Sequence, residues 1–135
     1  MKDTISNKNN DKKLNLKRRQ VVLADLGIHL NDSVQGGIRP VLITSNNMCN
    51  KHSQVITVVP LSTRIFSKKN LPTHVFVSAA ENKGIERNSL ILSEQVTILP
   101  ITKIINPNYG EVNEEIMEQV TKALQIQLGM VESFN

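Results

Sequence analysis

The chain has one cysteine, no tryptophan and four aromatic side chains in 135 residues. Cys49 alone can form neither an internal disulfide nor a structural zinc site, so the fold must hold without a covalent or metal staple. Phe66, Phe76, Tyr109 and Phe134 are too few and too scattered to form an extended platform for stacked bases. No apolar stretch approaches the ~20 residues of a membrane span. The start, Met1-Lys2-Asp3-Thr4, leads into Asn and Lys rather than an apolar signal region. A cytoplasmic protein with no membrane association is the simplest expectation. His29, His52 and His74 lack metal-ligand spacing. There is no nucleotide-binding glycine fingerprint and no Ser/His/Asp order, so neither metal nor cofactor is expected. A chain of this length suits one compact domain with a small core.

Charge is unevenly placed. Net charge is +4, but residues 1–19 carry seven Lys/Arg against Asp3 and Asp11, which makes that stretch +5 and the remainder −1. Within the remainder, Glu111, Glu114, Glu115, Glu118 and Glu132 against Lys122 make the C-terminal stretch −4 and leave residues 20–110 at +3. A mildly basic middle suits a short nucleic-acid contact rather than a long duplex footprint. Residues 1–16 are rich in Asn and Lys, with Met1, Ile5, Leu14 and Leu16 as their apolar side chains. That is too little burial to offset ordering, so they are expected to form a flexible basic extension to a domain spanning 17–135.

From Gln20 onward, short β-rich runs alternate with turn residues, the pattern of a small barrel or sandwich. Strands are expected at 20–26, 38–44, 54–61, 73–78 and 89–97. Pro40 cannot donate to a ladder, which puts it near the start or on an edge of the second strand. The segment 27–37, with Asn31-Asp32-Ser33 and Gly36-Gly37, reads as a surface loop. Near the end, Asn113 can cap a helix, Glu114 and Glu115 favour its first turn, and Gly129 can stop it. Ile116, Val120, Ala123, Leu124 and Gln127/Leu128 give that helix one packing face. A short helical turn is weakly signalled near 79–83. Cys49 reads as a buried or partly exposed small residue, and His74 as structural or surface.

The run Gln35-Gly36-Gly37-Ile38-Arg39-Pro40-Val41-Leu42-Ile43 sets one arginine between a glycine turn and an apolar strand. A guanidinium is a rigid fork of donors matched to phosphate oxygens. Its pKa above ~12 suits charge stabilisation or proton donation better than general-base work. Together with Ala24-Asp25-Leu26, Asn46, Pro60-Leu61-Ser62-Thr63, Leu71-Pro72-Thr73-His74-Val75, Ser89-Leu90-Ile91-Leu92 and Glu94-Gln95, this run resembles the MazF/PemK family of toxin ribonucleases from about Lys17 to Gly129.

The resemblance implies a mostly β fold with α: an SH3-like small barrel of the CcdB/MazF/Kid type with a C-terminal α-helix, assembled as a homodimer. It also implies a sequence-specific, metal-independent endoribonuclease that cuts single-stranded mRNA to 2′,3′-cyclic phosphate and 5′-hydroxyl ends. A small MazE-like antitoxin would cover the site with an acidic segment. The family's catalytic arginine falls on Arg39. Its catalytic hydroxyl falls on Ser62 by the Pro-x-Thr/Ser pattern, while counting back from Leu71-Pro72-Thr73-His74 without a gap selects Thr63; Ser62 is preferred and both stay open. RNA contact is expected from Ser33, Gln35, Gly36, Gly37, Thr63, Arg64, Glu94 and Gln95, on single strands whose base edges are accessible.

The chain departs from the family at three places. Arg18-Arg19-Gln20 stands where Arg-Gly-Asp is usual, Ser33-Val34-Gln35 where Ser-Glu-Gln is usual, and Thr97 where a basic residue is frequent. These departures motivate one alternative, a catalytically weakened relative that binds RNA or antitoxin. A CcdB-like DNA gyrase inhibitor, which would work through its C-terminal helix, is another.

Overall fold

Both faces of the central strands are apolar, and both are buried. The structure is a computed structural model that describes residues 14–28, 34–65 and 70–134. β1 (Gln20–Asp25), β2 (Ile38–Ile43) and β3 (Val55–Ser62) form its middle. Side chains alternate across a strand, so Val21, Leu42 and Val59 enter one core while Val22, Val41, Ile43 and Val58 enter another. Near-continuous apolar runs such as Val58-Val59-Pro60-Leu61 are what a strand covered on both sides requires.

The first core is closed by the C-terminal helix α2 (Glu114–Gln127), which seats Ile116, Met117, Val120 and Ala123 against the sheet. Each large apolar side chain so buried stabilises by roughly 1.5–3 kcal/mol relative to exposure. Asn113 caps this helix, its side chain accepting from the Ile116 amide at 2.8 Å, and Gly129 ends it at φ +75. The outer positions Gln127 and Leu128 are exposed. A short helix, α1 (Asn47–His52), is capped by Asn46 at the Cys49 amide and leaves Cys49 exposed rather than buried. The segment 79–83 forms turns, not a helix.

The second core contains Leu16, 6% exposed, and Leu99. Leu16 was counted with the extension in the sequence; its side chain packs with Val22, Ala24 and Val41. Of that extension, residues 1–13 lie outside the described residues, as do His29, Ser33 and Phe66.

The strands form one sheet in the order β4 (His74–Val77), β5 (Ser89–Leu92), β3, β2, β1, β7 (Ile104–Glu111), with β6 (Thr97–Pro100) also on β3. Among the described residues no ladder joins β4 to β7, so the small barrel of the sequence reading is an open sheet. The single strand expected at 89–97 is two strands around a 3-10 turn, Ser93–Gln95. The reason is the long β3, which pairs with β6 over Val55–Val58 and with β5 at Leu61 and Ser62. β7 escapes the sequence pattern because Asn106, Pro107, Asn108 and Gly110 read as turn residues. It lies at the sheet edge and joins β1 through register shifts, and there a proline removes no obligatory donor.

Two backbone constraints stand out. Arg19 has φ +88 just before β1, at the position where the family's Arg-Gly-Asp has glycine. Its guanidinium meets Glu111 at 2.7 Å. Gly84, at φ +77, and Gly110 let a loop and β7 touch backbone to backbone. A Cβ on Gly110 would sit 2.6 Å from the Lys83 carbonyl oxygen, and one on Gly84 would sit 2.2 Å from that of Tyr109.

We expect Gly110→Ala to lose roughly 1–3 kcal/mol in urea unfolding, because neither backbone can yield freely. Arg19→Gly should stay within about 1 kcal/mol of wild type, whereas the β-branched Arg19→Val should lose roughly 1–3 kcal/mol. Equal midpoints for Arg19→Gly and Arg19→Val would show that the positive φ carries no strain.

Candidate active site

The position of Arg39 follows from a missing hydrogen-bond donor. On the β2–β3 ladder the Thr44 amide donates to the Thr57 carbonyl at 2.9 Å. Hydrogen-bonded pairs recur every second residue in an antiparallel ladder. The register Ile43↔Val58, Leu42↔Val59, Val41↔Pro60 therefore makes Leu42/Val59, and then Pro40/Leu61, the next such slots. Pro40 has no N–H to give. The Leu61 carbonyl accepts instead from Arg39 Nη1 at 3.2 Å.

A second anchor comes from the turn before β2. Arg39 Nε donates to the Gly36 carbonyl at 3.0 Å. The turn itself is tied to the end of β1: the Leu26 amide donates to the Gly37 carbonyl at 2.9 Å and the Gly37 amide to Gly27 at 2.6 Å. Gly37 has φ +73, which a side chain would strain. One residue upstream, the Gln35 amide donates to Gln95 Oε1 at 2.7 Å. The guanidinium is thus held on two sides, while Nη2 has no hydrogen-bond partner among the described residues.

At the end of β3 the two candidate hydroxyls differ. Ser62 is 3% exposed and its Oγ accepts from the Arg64 amide at 3.2 Å, a local turn contact. Thr63 is exposed, as is Arg64. Burial lowers the pKa of Arg39 from its ordinary value, and the neighbouring positive charge of Arg64 adds to this. Both causes make an arriving anion favourable, since it would offset lost hydration and the repulsion between the two cations.

The residues expected to meet RNA divide into two groups. Gln35, Gly36, Gly37 and Gln95 are joined to Arg39 by the contacts above, and Thr63 and Arg64 follow the strand that carries Leu61. Glu94 also lines a neighbouring groove, with its side chain 25% exposed, but both of its oxygens are engaged by protein groups. Its carboxylate accepts from Thr73 Oγ1 at 2.9 Å and lies 2.9 Å from His74 Nε2. An anion so engaged is a poor contact for a phosphodiester. Thr73 and His74 were not singled out as site residues in the sequence; their place in the run Leu71-Pro72-Thr73-His74-Val75 was the available signal. Beside the site, a groove of about 530 Å³ is lined by Asp25, Val34, Gln35, Gln95, Ile98 and Lys103, among others. Arg39 and Ser62 do not line it. Among the described residues no three His, Cys, Asp or Glu are grouped to hold a metal ion, and no helix is long and apolar enough to cross a membrane.

An anchored arginine, a second arginine and an exposed hydroxyl just past a strand end, and a neighbouring groove are thus presented by a small, mostly β protein. Residues 17–128 match the PemK-like, MazF-like toxin of type II toxin-antitoxin systems, and the chain belongs to that family. It is 36% identical over 117 residues to the endoribonuclease EndoA of Bacillus subtilis (strain 168), covering 87% of this chain and 97% of that protein. Among solved structures it resembles a mycobacterial endoribonuclease in complex with its cognate antitoxin, with TM-score 0.68, 26% identity, and coverage of 85% of this chain and 96% of that one. MazF from Deinococcus radiodurans shares the fold at TM-score 0.70 and 20% identity, covering 84% and 96%.

Replacing Arg64 by glutamine should remove one phosphate contact. Single-stranded RNA affinity should fall, and the plot of log affinity against log salt should flatten by about 0.7. An unchanged salt slope would place Arg64 away from the RNA backbone.

Proposed function

We propose that the protein is a toxin endoribonuclease that cuts single-stranded mRNA at specific sequences without a metal, leaving 2′,3′-cyclic phosphate and 5′-hydroxyl ends. In this reading it acts in the cytoplasm as a homodimer and is neutralised by a cognate MazE-like antitoxin. The observation that carries the reading is the Arg39 guanidinium, fixed by the carbonyls of Gly36 and Leu61 next to the hydroxyls that end β3.

The reaction joins the ribose 2′-oxygen to phosphorus and expels the 5′-oxygen. Negative charge accumulates on the non-bridging oxygens of the phosphorane-like transition state. A donor already aimed at that charge needs no reorganisation when it develops, and electrostatic stabilisation of this kind is commonly the largest single contribution. Arg39 is such a donor: two of its N–H groups are spent on holding it still, and the remainder of the fork faces the reacting phosphate. Arg64 supplies long-range attraction, and the groove takes nucleotides flanking the cut.

Burial favours Thr63 over Ser62 as the hydroxyl that donates to a non-bridging oxygen. The Ser62 hydroxyl then orders the turn that presents Thr63. The acidic segment expected of an antitoxin would compete for the same cations, which gives one electrostatic basis for both cleavage and inhibition. A gyrase-directed toxin acting through its C-terminal helix would need none of these groups.

The test is a long mixed-sequence RNA incubated with the protein in EDTA, with 5′ ends mapped. Discrete cuts with 5′-hydroxyl ends should appear. Arg39→Ala should lose about 10²–10³-fold in rate, the usual cost of one transition-state donor. Thr63→Ala should lose more activity than Ser62→Ala, whose main loss should be thermal stability. The reverse order returns the hydroxyl to Ser62, and absence of cuts by folded wild type rejects the nuclease.

A further inference from the structure

We propose that Glu94 and Gln95 are positioning residues for Arg39 rather than readers of the RNA bases. The inference rests on the reading of Arg39 as the catalytic cation. Its physical basis is a set of hydrogen bonds, linked through short backbone segments, that runs from β4 to the guanidinium.

The 3-10 turn Ser93–Gln95 is pinned at its first two residues. The Ser93 amide donates to the Thr73 carbonyl at 3.1 Å, and both Glu94 oxygens are used, Oε1 by Thr73 Oγ1 and Oε2 by His74 Nε2. A carboxylate oxygen only accepts, so the imidazole proton in that pair sits on Nε2. His74 is deeply buried, its side chain 3% exposed, and Nδ1 has no partner among the described residues; the Ser93 hydroxyl is also buried without one. Burying polar atoms unmet costs stability. What this arrangement gains is a carboxylate, and hence a turn, with one allowed position.

Gln95 carries that position across to the arginine. Its Oε1 accepts the Gln35 amide at 2.7 Å, and the next residue, Gly36, presents the carbonyl that holds Arg39 Nε. The segment from the Gln35 amide to the Gly36 carbonyl is only two residues long, and its far end is held by the Gly37 amide on the Gly27 carbonyl, so Gln95 fixes the near end of a short tethered turn. Losing the Gln95 contact frees the near end of that turn, which leaves φ and ψ of Gln35 and Gly36 free to shift and loosens the Gly36 carbonyl as an anchor of the guanidinium. A misplacement of about 1 Å in a reacting geometry can cost about 10²-fold in rate.

The experiment compares Gln95→Ala, Gln95→Glu, Glu94→Gln and Arg39→Ala. The substrate is an RNA oligonucleotide spanning the strongest cut that wild type makes in a long transcript. Affinity is read on the same oligonucleotide with a 2′-deoxy nucleotide at the scissile position, and rates are expressed per RNA-binding-competent molecule, so that lost folding is not counted. Gln95→Ala should lower the saturating rate about 10- to 100-fold with KM, affinity and cut site unchanged. Gln95→Glu keeps an acceptor for the Gln35 amide and should restore the saturating rate. Glu94→Gln should lower it too, because an amide offers one acceptor oxygen where the carboxylate serves two donors. A raised KM or relaxed cut site at an unchanged saturating rate would make Gln95 a base contact and overturn the proposal, as would wild-type kinetics throughout. Wild-type cleavage by Arg39→Ala would instead reject the reading on which the proposal rests. An inactive Arg39→Ala beside a fully active Gln95→Ala would reject the relay alone.

Discussion

Two prolines withhold hydrogen-bond donors in the middle of the sheet, and the architecture is arranged around where those donors are missing. Pro60 opposes Val41 in a slot that needs no N–H toward β2, and on its other side β3 is passing from β6 to β5. Pro40 falls in a slot that does need one, and the arginine before it fills the place. A structural deficit is thereby converted into a fixed cation. Had any other residue stood at position 40, the Leu61 carbonyl would have a backbone donor and less need of the Arg39 side chain.

A cation fixed in this way has consequences at longer range. Burial and the proximity of Arg64 both disfavour the charged arginine when the site is empty. A negative charge placed against Arg39 would offset both effects, whether it came from a phosphodiester or from a flexible acidic segment. Substrate and inhibitor in a toxin–antitoxin pair can therefore exploit the same local electrostatics, with selectivity between them left to shape and to the neighbouring groove. In the acidic C-terminal stretch, Glu111 pairs with Arg19, and Glu114 and Glu115 lie in the first turn of α2.

Much of this arrangement was legible in the residues. Strands β1 to β4, the start of β5, the Asn113 cap, the Gly129 stop and the buried face of α2 followed from periodicity and capping chemistry, because these depend on local sequence. The Gly-Gly-Ile-Arg-Pro run pointed to Arg39 for the same reason. What remained hidden depended on partners distant in the chain. β7 is composed of turn residues and is a strand because β1 needs an edge partner. The interruption at Ser93–Gln95 exists because β3 changes partners. The burial that separates Ser62 from Thr63 is set by strand register, which a proline pattern does not encode. Glu94 read as an RNA contact because nothing in its neighbours in sequence shows that Thr73 and His74 lie against it.

The central claim is that Arg39 is held in place before RNA arrives. The most direct measurement is the ¹⁵N relaxation and solvent exchange of its Nε–H in the free protein, assigned by loss of the signal in Arg39→Lys. The account predicts an order parameter close to that of rigid backbone, roughly 0.85, and slowed exchange. An Arg39 Nε–H as mobile and as rapidly exchanging as that of the exposed Arg87 would contradict it.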